Sequence, residues 1–398
     1  MTSNFDAVVA GHICLDVHPD LSGAGREPFE KIFWPGHLLA SGPVSFATGG
    51  AVSNTGLALN RLGITARLVG KIGEDLFGRT ICQIIASHGE DLTGGIITDA
   101  SVGTSYSIII NYPGVDRIFL HSSGANDSFH IGDIPDALLE QARLFHFGYP
   151  PLMRSTFVDK GISLTEIFRQ AKRAGVTTSL DMAFPDPASE AGKADWQSIL
   201  KSVLPHVDIF MPSVEEILFM MRRATYQEMC DAISGSDILQ LITPELLSDI
   251  ADELIEMGAR IVGLKLGYRG LYLRTGNSLL TRSIGRTHPS NPDAWASREL
   301  WAPCFKVMVA GTTGSGDTTI AGFLAALLHD LSIEECLRLA VAVGACNVEA
   351  VDALSGIYSW DATLARLAGG WEQQTLELNS PGWEFDPRYG FWQGPYAR

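Results

Sequence analysis

Basic residues are scarce in this chain: 29 Lys and Arg stand against 45 Asp and Glu, for a net charge of -16. That balance argues against a nucleic-acid partner or an anionic membrane surface, because both need clustered cations. A nucleotide stays open, since a few local donors suffice to hold a phosphate. No apolar run reaches the roughly 18 residues of a membrane span. The six cysteines (Cys14, Cys82, Cys230, Cys304, Cys336, Cys346) are scattered, with no C-x-x-C pair. Neither a zinc site nor a disulfide framework is expected, and the thiols read as reduced. The first residues lack a basic stretch followed by an apolar core, so the cytoplasm is the expected location. Three common motifs are also missing. The nearest approach to a G-x-x-x-x-G-K-[ST] loop, at 65–72, has Gly70-Lys71 without the first glycine or the final hydroxyl residue. The first strand runs into Gly11-His-Ile-Cys, not G-x-G-x-x-G, and no H-E-x-x-H occurs.

What is present is a chain of 398 residues, 46% hydrophobic, long enough for one large α/β domain or two ordinary ones. Short apolar runs at 6–11, 66–69, 144–148, 177–180, 208–211 and 261–266 read as buried strands. Amphipathic stretches at 51–62, 78–88, 163–174, 196–204 and 244–258 read as helices between them. The alternation predicts a three-layer α/β/α sandwich around a mostly parallel sheet. Two regions break it: 12–48, with a strand-like piece at 29–34, and a hairpin at 106–121 turning at Pro113-Gly114. Together they read as a small β-sheet, either a lid over a cleft or a surface decoration. Segments 223–243 and 277–300 read as insertions, the second loop-like. The tail from 373 carries Trp383, Phe385, Tyr389, Phe391, Trp392 and Tyr396, which suggests a strap packed on the body or a partner chain.

Three glycine-rich segments carry the chemistry. In 307–317 an apolar strand leads through Gly311-Thr-Thr-Gly314-Ser315-Gly316 to Asp317 and a helix start. Unpaired N–H groups and the helix dipole make such a turn a seat for a phosphate. On residues alone, Asp317 is equally well read as a helix cap. In 46–56, Gly49-Gly50 precedes a helix bearing Asn54, which can present donors to polyol hydroxyls or be a tight turn with a polar residue. The third segment, Gly70-Lys-Ile-Gly73-Glu-Asp75-Leu-Phe77-Gly78, is a strand end, a turn and a helix start.

Together and in this order, the segments resemble the ribokinase-like (PfkB) carbohydrate kinases. Gly49-Gly50, Asn54, Gly63 and Gly73 match the first signature of that family; Gly314-Ser315-Gly316-Asp317 with Ala321-Gly322 matches the second. The resemblance spans about residues 6–365. It implies an ATP-dependent kinase acting on a hydroxyl of a sugar-like small molecule, in one domain over 1–372 with lid segments at about 12–48 and 98–125. Asp317 is then the catalytic base, and Gly314, Ser315 and Gly316 form the anion hole. Asp16, Gly49, Gly50 and Asn54 contact the sugar; Lys265, Gly267, Gly270 and the 342–353 helix with Asn347 cradle the nucleotide; Glu216 serves Mg²⁺ through water. A monovalent cation and a homodimer through the lid are further expectations of the resemblance.

The chain departs from the pattern at Gly311, where Asp or Asn is usual, at Gly56, and at Ser213 ahead of Glu216. It also departs at Ala183 and Pro185 after Asp181. These changes leave two rivals standing: a nucleoside kinase of the same fold, and a sensor that binds a sugar or nucleotide without turnover. Arg117 and His121, on the hairpin, read either as contacts to an acidic sugar or as surface charges.

Overall fold

The computed structural model describes residues 5–23, 31, 33–112, 118–233 and 237–395. The expected hairpin turn at 113–114, Arg117, half of the 29–34 segment and Tyr396 lie outside these residues.

The strands in chain order are β1 (Ala7–Gly11), β2 (Cys14–Pro19), β3 (Val44–Gly49), β4 (Ala66–Gly73), β5 (Ile96–Asp99), β6 (Tyr106–Ile110), β7 (Ile118–Ser122) and β8 (Leu144–Gly148). They continue with β9 (Thr177–Leu180), β10 (Ile209–Phe210), β11 (Ile261–Lys265), β12 (Leu271–Thr275), β13 (Glu299–Ala302), β14 (Glu384–Asp386) and β15 (Phe391–Gln393). Eleven of them form one sheet in the order β14-β15-β13-β12-β11-β10-β9-β8-β1-β4-β5. It is parallel from β5 through β11 and antiparallel from β11 through β14.

The run of β1 shows why its residues are apolar on both sides. Ala7 and Val9 enter one core with the helices Ala51–Arg61, Ser315–Leu328 and Ile333–Asn347. Val8 and Ala10 enter the other with Ile162–Arg173, Trp196–Val203 and Pro244–Glu256. A strand covered on both faces needs a continuous apolar sequence, not an alternating one. The result is the expected three-layer α/β/α sandwich.

A second sheet, β3-β2-β6-β7, projects from the main one. Its register aligns Cys14 with Gly49, Asp16 with Ser107 and Ser107 with His121, which places the side chains of Asp16, Ser107 and His121 on one face.

Three expectations need correction. The strand expected over 307–310 does not form; Met308 is 88% exposed and Val309 63% exposed. Its backbone is anchored at the two ends, where Lys306 N–H donates to the Glu372 carbonyl at 2.8 Å and Ala310 N–H to the Val348 carbonyl at 2.8 Å. Val307 and Val309 serve as walls of a cavity instead, so apolar character here marks a lining and not a core strand. The 277–300 segment is also more ordered than a loop: it holds helices Ser278–Arg282 and Pro292–Trp295 and enters β13. The strand expected at 208–211 shortens to Ile209–Phe210, although the flanking backbone still bonds to its neighbours, Asp208 N–H to the Thr178 carbonyl at 3.1 Å and Met211 N–H to the Leu180 carbonyl at 3.0 Å. The tail strands β14 and β15 extend the main sheet beyond β13.

Candidate active site

The parallel strands end on one edge, and the residues that follow them face a common crevice. In open α/β sheets such a crevice, outside the carboxyl ends of the strands, is where ligands bind. His12 follows β1, Tyr149 follows β8, Asp181 follows β9, Ser213 comes soon after β10, and Lys265 closes β11. The helix Ser315–Leu328 points its N-terminus at the same edge, with Gly314 at its N-cap in the left-handed region (φ 72°).

Asp317 lies in the first turn of that helix and is 2% exposed. Its carboxylate does not cap the helix. It accepts hydrogen bonds from Asn54 Nδ2 at 3.0 Å, Thr55 Oγ1 at 3.3 Å and the Tyr149 hydroxyl at 2.7 Å. The capping alternative therefore falls, and Asn54 is more than a polar residue in a tight turn. The two signature segments, more than 250 residues apart in the chain, meet at this one carboxylate. Burial pushes the Asp317 carboxyl above its ordinary range, against the Tyr149 hydroxyl, Lys265, Asn54 and Thr55, which all favour the ionised form. The first-turn N–H groups of Gly316 and Asp317 have no carbonyl four residues back within the helix.

Beside it Lys265 Nζ pairs with Asp181 Oδ1 at 2.5 Å, and the Lys265 side chain lies along Gly316, where a Cβ would meet it at 3.5 Å. Burial, together with Glu216 and Asp317, raises the Asp181 carboxyl against the pull of Lys265. Burial pulls the Lys265 ammonium down, yet the surrounding carboxylates prevail and raise it. The cleft is lined by four carboxyl groups, Asp181, Glu215, Glu216 and Asp317, against one cation, Lys265, an acidic balance that fits an added cation. Glu216 also closes a capping box with Ser213, accepting from the Ser213 N–H at 2.7 Å. Among the described residues no group of three or more His, Cys, Asp or Glu is placed to hold a metal. An ion there has one or two protein carboxylates at most, the usual arrangement for Mg²⁺ on phosphates.

Three cavities meet around these groups. One of about 220 Å³ is lined by Val307, Val309, Val341 and Val348 with Gly267 and Gly270. It shares Lys265, Ser315 and Gly316 with a cleft of about 400 Å³ that contains Asp181, Glu216 and Asp317. That cleft shares Phe184 with a third space of about 880 Å³ under the small sheet, lined by Ser107 and His121.

The other expected residues fall as follows. Asp16 is buried against Gly49, where a Cβ would meet its carboxylate at 2.4 Å, and burial lifts its carboxyl to about 6. Gly50 (φ 89°) leaves no room for a side chain, since a Cβ would meet the His12 carbonyl at 2.5 Å and His12 Nδ1 at 2.6 Å. Asn347 is not brought to the cavity; it is fully buried and its Nδ2 donates to the Ala353 carbonyl at 2.7 Å. Ala353 in turn packs on Gly314. Sequence reasoning missed Thr55, Tyr149 and His12 and treated Asp181 only as a landmark. All but Thr55 stand just past a parallel strand end, and that position was the available signal.

The fold, a parallel-sheet α/β sandwich with a projecting β-sheet, is shared with solved sugar kinases. Fructokinase with bound ATP from Xylella fastidiosa superposes with a TM-score of 0.65 at 19% identity, over 91% of this chain and 98% of that one. A family model for pfkB family carbohydrate kinases matches residues 25–359, and the chain belongs to that family. It is accordingly a carbohydrate kinase, a phosphotransferase with an alcohol group as acceptor. Its relatives include an uncharacterized sugar kinase of Archaeoglobus fulgidus, 26% identical over 76% of this chain and 98% of the relative. Fructokinase-1 of Oryza sativa subsp. japonica is 24% identical over 87% of this chain and 92% of its own. Among the described residues no helix is long and apolar enough to cross a membrane.

Proposed function

We propose that the chain transfers the γ-phosphate of ATP to a hydroxyl of a sugar or sugar-like small molecule, with Asp317 as general base. The observation that carries this reading is the place of the Asp317 carboxylate: buried at the meeting of the two glycine-rich segments, in a cleft that touches one cavity on each side. The base of ATP suits the valine-walled cavity, and its phosphates then run past Lys265 to the 314–317 turn. The acceptor comes from under the small sheet, which acts as a lid, and Asp16, Gly49, Gly50 and Asn54 hold its hydroxyls. The acceptor oxygen bonds to the γ-phosphorus, the bond from that phosphorus to the β–γ bridging oxygen breaks, and the acceptor proton passes to Asp317. The amides of 314–317 bear the negative charge on the phosphoryl oxygens as this happens. Asn347 acts at one remove, fixing Ala353 against Gly314. Glu216 and Asp181 would hold Mg²⁺, which supplies charge neutralisation to the phosphates. The named sugar kinase and fructokinase relatives support a sugar acceptor, and the ATP-bound neighbour supports ATP.

Asp317→Asn tests the reading. Turnover of sugar and ATP is expected to fall by about 10²–10⁴-fold with nucleotide affinity little changed, and excess chelator is expected to stop transfer by the native chain. Native turnover in the Asn variant removes Asp317 from the mechanism; full transfer in chelator removes Mg²⁺.

A further inference from the structure

His12 stands just past the end of β1 and is 1% exposed, yet neither ring nitrogen has a hydrogen-bond partner among the described residues. A buried polar group left this way costs about 1–3 kcal/mol, and this one carries two such atoms. Nothing in the fold requires a histidine there. Its backbone is already satisfied, with its N–H donating to the Gly148 carbonyl at 3.2 Å and its carbonyl accepting from Val52 N–H at 3.1 Å. The ring is set among the groups that surround the acceptor space. Its centroid lies 5.2 Å from the ring of His121 and 6.1 Å from that of Tyr149. Tyr149 donates to Asp317; His121 Nδ1 lies 3.0 Å from Ser107 Oγ, which neighbours Asp16 across the β2–β6 pair. Gly50 leaves His12 Nδ1 only the room that a missing Cβ provides. A second orphan faces the same turn: Asn54 Oδ1, also buried and unpartnered, on the side chain whose Nδ2 holds Asp317.

We propose that His12 binds the acceptor by hydrogen bonding to one of its hydroxyls, and that the acceptor is a neutral polyol and not a sugar acid or a sugar phosphate. The proposal rests on the kinase reading for the location of the acceptor space. The class of acceptor follows from charge. Asp127, Asp186 and Glu190 line the space and Asp317 lines the cleft beside it, so an anionic acceptor would meet carboxylates on both sides. Among the described residues, the Lys and Arg side chains that line this space and the adjoining cleft are engaged elsewhere. Arg154 pairs with Glu190 at 2.8 Å and Lys265 with Asp181 at 2.5 Å. The imidazole of His121 lines the space, and that of His12 lies beside it. Burial holds both below the ordinary imidazole range, with His121 adding to the effect on His12 and Asp127 opposing it on His121. A neutral imidazole offers one donor and one acceptor, which matches a hydroxyl and not a carboxylate.

Isothermal titration of the full chain against neutral pentoses and hexoses, the corresponding aldonates and hexose monophosphates tests this, with ADP release measured in parallel. A neutral sugar is expected to bind, and His12→Ala to weaken it by about 10-fold or more. His12→Asn, which keeps a buried donor and acceptor, is expected to recover part of the loss. The KM for ATP and the melting temperature without ligand should stay near native for His12→Asn, which separates a contact from a packing role. Tighter binding of an aldonate or a sugar phosphate overturns the proposal. So does binding unchanged in both variants, or binding by no member of the panel. A neutral sugar that binds through His12 without yielding ADP supports the assignment and sinks the kinase reading; ADP formed from a sugar acid does the reverse.

Discussion

Tyr149 holds a left-handed backbone (φ 68°) that non-glycine residues adopt at a cost. That conformation delivers its hydroxyl to Asp317 Oδ2 at 2.7 Å, where Asn54 already donates at 3.0 Å. With Oδ2 receiving two donors and Oδ1 only Thr55, Oδ1 is the oxygen with capacity left for an acceptor hydroxyl. Tyr149→Phe keeps the ring and the turn and deletes one hydrogen bond. That bond favours ionised Asp317, so its loss raises the carboxyl further above its ordinary value. In the proposed role Asp317 must be ionised to accept a proton, and the acidic limb of the kcat/KM profile for the acceptor is therefore expected to move to higher pH. At neutral pH kcat/KM should fall by about 10-fold. An unmoved acidic limb would show that Tyr149 supports only the packing of the turn. At this scale the signature glycines and Asp317 were legible in the sequence because close backbone approach admits few residue types. Tyr149 and His12 were not, because a tyrosine before Pro150 and a histidine after Gly11 carry no local pattern. Their meaning comes only from the sheet edge that gathers them.

At the scale of elements, the strands of the parallel sheet could be read from their uninterrupted apolar runs, and their order could not. Apolar runs say that a strand is covered on both faces; they do not say that β1 lies between β8 and β4. The Val307–Val309 stretch misled for a related reason, since a cavity wall and a buried strand draw on the same residues. The ion pair between the end of β9 and the end of β11 is equally silent in sequence: Asp181 and Lys265 are 84 positions apart. It has a measurable consequence. Lys265→Met leaves Asp181, which is 1% exposed, without its cation beside Glu216 and Asp317. Removing one partner of a buried pair costs about 3–5 kcal/mol while the other stays charged. The Asp181 carboxyl is already raised, and without Lys265 it rises further. A group whose folded-state pKa is raised stabilises fully below its unfolded value and loses that contribution as pH rises through the folded one. Burial has already lifted Asp181 to about 8 in the native chain, so native and variant stabilities should run parallel below that pH and diverge above it, with the variant falling further, as read by denaturant unfolding at about pH 7 and about pH 9.5. Adding Asp181→Asn should remove the pH dependence. A gap between native and variant that is equal at both pH values would show that the pair is solvated.

Across the whole molecule, the tail ties the far edge of the sheet to the valine-walled cavity. β15 pairs with β13, and Trp383 packs its ring 6.3 Å from both Tyr272 and Trp301, which are fully buried. Gly394 N–H donates to the Glu299 carbonyl at 2.8 Å, over a buried pair in which Arg274 meets Glu299 at 3.1 Å. Water reaching that pair would weaken it, because the attraction depends on a dry surrounding. At its near end the tail reaches the cavity. Gln374 lines it, and its N–H donates to the Cys304 carbonyl at 2.7 Å. Gln373 Nε2 donates to the Pro303 carbonyl at 3.2 Å. These contacts brace 303–306, the start of the segment that supplies Val307 and Val309 as cavity walls. Removing 373–398 is therefore expected to do two separable things. It should lower the melting temperature, since burial of a large aromatic alone is worth about 3–5 kcal/mol, and it should raise the KM for ATP more than the KM for the acceptor. Trp383→Ala, at the far end, should reproduce the first effect and leave the second near native. If the shortened chain keeps its KM for ATP while losing stability, the tail closes a sheet edge and has no part in shaping the proposed nucleotide cavity; if it keeps its melting temperature as well, the pairing of β15 with β13 contributes nothing to the fold.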